Sequence, residues 1–304
     1  KTFKRRLASE HDMNMPIGLL IFFTALISWF CLLIFGFRRK RFTPFIVFGI
    51  VFLLFMNVRY LIEGAPAAIA FFIGIYDVLD NLGMQSGQTA AALATCPDNA
   101  CTVWGSTYVL HPSWGTAFFD RFLNGTVLRT NLLYAHLTFN SIVFVLMHVQ
   151  LWRPGTGGNA IFHKYLGKIS FVCLTIGTVC AIWLAGSHGS VNEYGGNLSM
   201  FGFWSMSLFV YGCAVMGIRA IRQGNFVAHR IWMIRFAGSM WGAFWLFRVI
   251  LFVMGPLLRD YQSAQILLCI WLSAPLGIVI AELVRIKIPD KQAYYSDANG
   301  VTHA

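Results

Sequence analysis

Five histidines carry the chemistry that this chain's side chains could do. His136, His148, His163, His188 and His229 lie within or beside long apolar stretches. A neutral imidazole is both a proton carrier and a metal ligand. Two imidazoles reaching one depth from different helices would hold the iron of a b-type haem between them. His148, His163 and His229 fall towards one end of the apolar stretches, and His136 and His188 towards the other. His229 with His163 or His148 would form one site, and His136 with His188 a second. His136 and His148 are 12 residues apart, or about 18 Å along a helix, the spacing that two haems stacked across a bilayer require. A structural reading stands beside this one. Twelve residues turn a helix about 120° past whole turns, so the two do not share a face. Histidines near helix ends also bond to backbone carbonyls. Both readings stay open on the sequence.

Charged side chains inside apolar stretches are costly and turn towards a protein interior or a wet cavity. Here they are Arg59, Glu63, Arg235, Arg248 and Glu282. Arg59 and Glu63 have the i, i+4 spacing of a helical ion pair. Arg248 is a candidate cofactor-binding residue. Its partner would be Glu193, Asp260 or an anionic group such as a haem propionate or lipid headgroup, and the alternative is a snorkelling interfacial arginine. Asn57, Asn131 and Asn140 are expected to hydrogen-bond in the interior. Of seven cysteines, Cys31, Cys173, Cys180, Cys213 and Cys269 read as small apolar-span residues. Cys96 and Cys101 bracket a polar Pro-Asp-Asn-Ala segment and are candidates for a disulfide in an oxidising compartment. A zinc site there would need more ligands than the single His111.

The elements that must position these groups are membrane helices. Hydrophobic residues make up 57% of the 304-residue chain and charged residues 12%, about half the charge of a soluble domain. Seven apolar stretches approach the length that crosses about 30 Å of hydrocarbon. They run near 15–37, 42–62, 131–151, 165–186, 198–218, 231–254 and 263–284. Backbone in lipid must satisfy its own polar groups, so these stretches are expected to be helices. The shorter run at 65–76 ends in Asp77 and Asp80 and reads as an interfacial helix. The expected organisation is two transmembrane helices in 1–64 and an extramembrane loop in 65–130. A four-helix core at 131–254 follows, then a last transmembrane helix with a polar tail at 255–304. The fold class is all-α, a multi-pass transmembrane helical bundle of about seven spans.

Charge supports that count. Arg38 to Arg41, Arg153, Lys164, Lys168, Arg219, Arg222, Arg230, Arg285, Lys287 and Lys291 fall on one side, and Arg121, Arg129 and Arg259 on the other. By the positive-inside rule the first side is cytoplasmic, matrix or stromal, and the C-terminus lies there. Lys1, Lys4, Arg5 and Arg6 depart from the pattern, so either that arm is translocated despite its charge or the first stretch is not a simple crossing; a start without Met is read as a processed or incomplete N-terminus. The net charge of +11 follows from these loops and gives no sign of nucleic-acid binding. Two glycosylation sequons, at Asn124 and Asn197, share the less basic side. No phosphate-binding glycine loop, nucleophile elbow or paired-carboxylate motif is present, so the sequence leaves enzymatic activity undetermined.

Residues 131–254 resemble the predicted membrane proteins of the domain-of-unknown-function family 2306. The motif-bearing positions are His136, the segment His163-Lys-Tyr-Leu-Gly-Lys168, the segment Ala228-His229-Arg230-Ile-Trp-Met-Ile-Arg235, and Arg248. Lys164 and Lys168 stand where the family pattern has arginines, keeping charge but losing the planar fork. The resemblance implies a four-helix core with histidines near its faces, similar to that of transmembrane di-haem cytochromes b. That likeness is at the level of fold, and function has to come from the site. Two functions follow as expectations. One is transmembrane electron transfer by bis-histidine haem b. The other is a non-catalytic accessory subunit of a larger membrane assembly, in which the same residues hold helices, lipids or partner subunits.

Overall fold

The computed structural model describes residues 17–63, 101–103, 106–108, 127–152, 160–187, 196–258 and 262–287. Each of the seven apolar stretches is a helix. In order they are α1 (Ile17–Arg39), α2 (Thr43–Glu63), α3 (Val127–Trp152), α4 (Ala160–Gly186), α5 (Gly196–Arg222), α6 (Phe226–Trp241) continuing through a π turn (Gly242–Leu246) into α7 (Phe247–Leu257), and α8 (Gln262–Lys287). Among the described residues, four helices are long and apolar enough to cross a membrane: Val127–Leu151, Ala160–Gly186, Asn197–Arg222 and Leu267–Ile286. This is compatible with the seven crossings expected. A short antiparallel hairpin, β1 (Cys101–Val103) with β2 (Ser106–Tyr108), interrupts the otherwise helical order. The run at 65–76 lies outside the described residues.

Polarity is distributed as a bilayer demands. Ile27, Val51, Val179 and Leu208 stand exposed, while Ser199, Ser239 and Ser273 are buried. In water such an outer surface would aggregate. In lipid it is solvated, and the polar side chains turn inward.

The chain divides into two compact units. In the first, within Lys1–Ser141 and Gly255–Gln262, α1 and α2 form a helical hairpin. Trp29 stacks on Phe45 with ring centroids 4.8 Å apart. Buried Asn57 of α2 donates to Ser141 Oγ of α3 at 2.6 Å, and that hydroxyl donates in turn to the Leu137 carbonyl. Asn140 is also buried, as expected for an interior amide, whereas Asn131 is exposed. The side chains of Arg59 and Glu63 lie outside the described residues.

The second unit, Ile142–Met254 with Ser263–Ala304, holds the site. There α5 packs on both α4 and α6. Three residues join α5 to α6, and their geometry follows from their types. Gly224 takes φ +73, the left-handed region open to a residue without Cβ. The Asn225 N–H then reaches back to the Ala220 carbonyl and the Gly224 N–H to Ile221, which closes α5 in a Schellman cap. Asn225 at once starts α6, its side chain accepting from the Ala228 N–H at 2.8 Å. His229 is thereby fixed in the first turn of α6.

Helices α6 and α8 meet backbone to backbone. A Cβ on Gly238 would collide with the Gly277 carbonyl and Ala281. One on Gly242 would lie 2.9 Å from Ala274 Cα and meet the Ser273 carbonyl. Gly238-Ser-Met-Trp-Gly242 is thus a small-xxx-small contact, the means by which membrane helices approach without a hydrophobic driving force. The π turn begins at Gly242, one of the glycines of this contact.

Candidate functional site

Helix order and the short α5–α6 turn bring the start of α4, the end of α5 and the start of α6 to one end of this unit. There the His163 and His229 rings face each other, with centroids 6.4 Å apart and planes at 79°. His229 Nδ1 lies 2.9 Å from the Gly217 carbonyl of α5, so this nitrogen carries the proton and donates it. Its Nε2 has no hydrogen-bond partner among the described residues. His163 Nδ1 is buried and has no partner either. The backbone at His163 is held from α3, where Gln150 Nε2 donates to its carbonyl at 3.1 Å.

These features fit metal ligation. A donating Nδ1–H···O=C bond sets the tautomer and orients a histidine whose other nitrogen binds metal. An unpaired buried ring nitrogen is costly unless something satisfies it. A metal between two imidazoles sits about 2 Å from each nitrogen, which puts the ring centres about 6 Å apart. Among the described residues no group of three or more His, Cys, Asp or Glu converges. A metal held by the two histidines alone would bring its other ligands with it, as a haem does.

His148 has a different setting. It is 2% exposed, with Nδ1 2.6 Å from the Phe144 carbonyl. Trp241 Nε1 donates to its Nε2 at 2.9 Å. Both ring nitrogens are engaged in the neutral Nδ1–H form. Phe144 and Trp241 pack against it, and Trp245 stacks on Trp241 with centroids 6.4 Å apart. Of the two partners considered for His229, the structure therefore brings up His163.

His136 Nδ1 and the amide nitrogen of Asn140, one turn on, lie 2.9 Å apart. This leaves Nδ1 accepting and the proton on Nε2. His188, the other histidine expected there, lies outside the described residues, as do Cys96, Glu193 and Asp260. Cys101 is on β1, and its side chain is outside them. Cys173, Cys180, Cys213 and Cys269 are buried, whereas Cys31 is exposed. Arg248 donates to the Phe244 carbonyl, one turn back in its own helix.

Two relationships were not read from the sequence. One is the Trp241–His148 bond. The other is an ion cluster in which Glu282 of α8 accepts from Arg235 Nε at 2.6 Å and from Arg285 Nε at 2.7 Å. The Arg235 guanidinium also lies over the Trp232 ring, 4.6 Å from its centroid. The signal for the cluster was present: two opposite charges inside apolar stretches are expected to find each other.

The sequence profile of the family described as predicted membrane protein (DUF2306) matches residues 133–285. The match takes in α8 up to Arg285, beyond the four core helices on which the motifs lie. No curated protein and no solved structure matches the chain.

Proposed function

The chain belongs to the DUF2306 family of predicted membrane proteins, and from that premise and the histidine geometry we propose that it is a haem b electron-transfer protein of the bilayer. The observation that carries this reading is the His163–His229 pair. Its rings stand at a metal-bridging separation, one nitrogen is buried and unpaired, and the other ring is oriented through its Nδ1–H. A bound haem would supply a one-electron carrier. The chain's own residues supply the rest. The Gly217 carbonyl orients the His229 imidazole, and Gln150 holds the backbone from which the His163 ring projects. Arg230, beside His229, belongs to the basic rim that we assign to the cytoplasmic, matrix or stromal face.

The test is a reduced-minus-oxidised optical spectrum of the purified protein. A b-type α band is expected, and replacing either His163 or His229 by Ala should abolish or strongly diminish it. A folded wild-type protein with no such band, even after reconstitution with haemin, would falsify the reading. An accessory role, with the histidines as helix ties, would then take its place.

A further inference from the structure

We propose that the groove between α5, α6 and α8 binds an anionic phospholipid, with an acyl chain along the groove and the phosphate on Arg235 and Arg285. The inference is independent of the histidine pair. The groove encloses about 570 Å³, and its walls are almost wholly apolar, formed by Leu208, Phe209, Met216, Val279 and Leu283. From Met216 back to Leu208 it runs about 12 Å along α5, within the ~15 Å depth of one leaflet. Such a surface in a bilayer is covered by a lipid chain. The ion cluster selects which lipid.

Glu282 neutralises one of two guanidiniums and leaves one positive charge over. Each arginine spends only its Nε on that carboxylate. The terminal nitrogens of both have no partner among the described residues. The two side chains are 32% and 36% exposed, so these N–H groups are reachable. A guanidinium fork matches two phosphate oxygens. Trp232 holds the plane of Arg235 in place. Arg285 sits in the last turn of α8, while Arg219 and Arg222 occupy the last turn of α5. The charged end of the groove is therefore the end at which a headgroup lies, and basic pockets between helices at that level recognise anionic headgroups.

The experiment uses the full chain in nanodiscs of phosphatidylcholine mixed with phosphatidylglycerol, with retained lipid identified by native mass spectrometry. Wild type should retain phosphatidylglycerol over phosphatidylcholine. Arg285→Gln should lower that preference about fivefold, the effect of one interfacial arginine, and Arg285→Lys should restore part of it. Val279→Trp fills the groove with both arginines intact and should also release the lipid. Thermal unfolding of each variant confirms that it is folded. Equal retention of the two lipids by wild type overturns the proposal. So does loss of the lipid to inorganic phosphate with no effect of Val279→Trp, which would show a phosphate site without a chain-binding groove.

Discussion

Trp241 donates its indole N–H to Nε2 of His148, while His148 Nδ1 donates to the Phe144 carbonyl. One bond from the next helix thus uses up the only free lone pair of a buried imidazole. A histidine in that state is a cross-link between α3 and α6 and has no nitrogen left for a metal. His163, whose buried Nδ1 has no partner, is in the opposite condition. The structure divides the histidines of this unit by what their second nitrogen does.

Trp241→Phe keeps the packing on Phe144 but leaves His148 Nε2 buried without a donor. The expected cost is about 1–3 kcal/mol, read as a lowered unfolding temperature in detergent. His148→Leu in turn takes the acceptor from the Trp241 N–H, so the double variant Trp241→Phe/His148→Leu, which removes both partners, should cost less than the sum of the two single changes. Neither should abolish the optical signature expected of the His163–His229 pair. Loss of that signature in a folded His148→Leu protein would reassign His148 as a ligand.

The α6–α8 contact gives a second expectation. Gly242→Ala puts a methyl group into the Ser273 carbonyl and Ala274 of α8, where backbone has to move. Overpacking of this kind costs about 1–3 kcal/mol or more. Gly212→Ala on α5 meets nothing within 4 Å and should be neutral or stabilising, by up to about 1 kcal/mol of helix propensity. Folded yield and unfolding temperature, measured side by side, check the pair. Equal effects would mean that the glycines serve flexibility and not close approach.

These contrasts show what was legible in the sequence. The seven helices were, because a backbone in lipid has few alternatives and their apolar lengths are plain. The convergence of His163 and His229 was one of two options for His229, since both positions open helices at the same end. The choice between His163 and His148 depended on azimuth: Gly217 offers its carbonyl to His229, and Trp241 claims His148. No spacing rule encodes either. Gly238 and Gly242 form a visible small-xxx-small pair, but the partner surface at Ser273 to Gly277 is some thirty residues away and carries no matching signal. The β1–β2 hairpin was missed because strands of three residues, Cys101–Val103 and Ser106–Tyr108, are too short to show alternation.

The α5–α6 turn should be as sensitive as its cap geometry implies. Gly224→Ala forces a Cβ into φ +73 at about 1–2 kcal/mol. Asn225→Ala loses the cap on the Ala228 N–H at about 1 kcal/mol. Both loosen the first turn of α6, which carries His229. Hydrogen exchange of the His229 amide, bonded to the Asn225 carbonyl, should accelerate in both variants. Unchanged exchange would mean that His229 is held from α5 alone.

His229→Met is the sharpest test of which side chain meets the iron. Methionine has no nitrogen for the Gly217 carbonyl, so a role as a helix tie would be lost outright. As a ligand it would still reach a metal with its thioether. Replacing one imidazole of a bis-histidine haem by Met raises the reduction potential. Under the electron-transfer reading, the variant should therefore keep a b-type spectrum and titrate at a higher potential than wild type. His229→Ala should lose the spectrum. A redox titration in which His229→Met keeps both the wild-type spectrum and the wild-type potential would exclude His229 from the coordination sphere. His163 would then need another partner for its buried nitrogen.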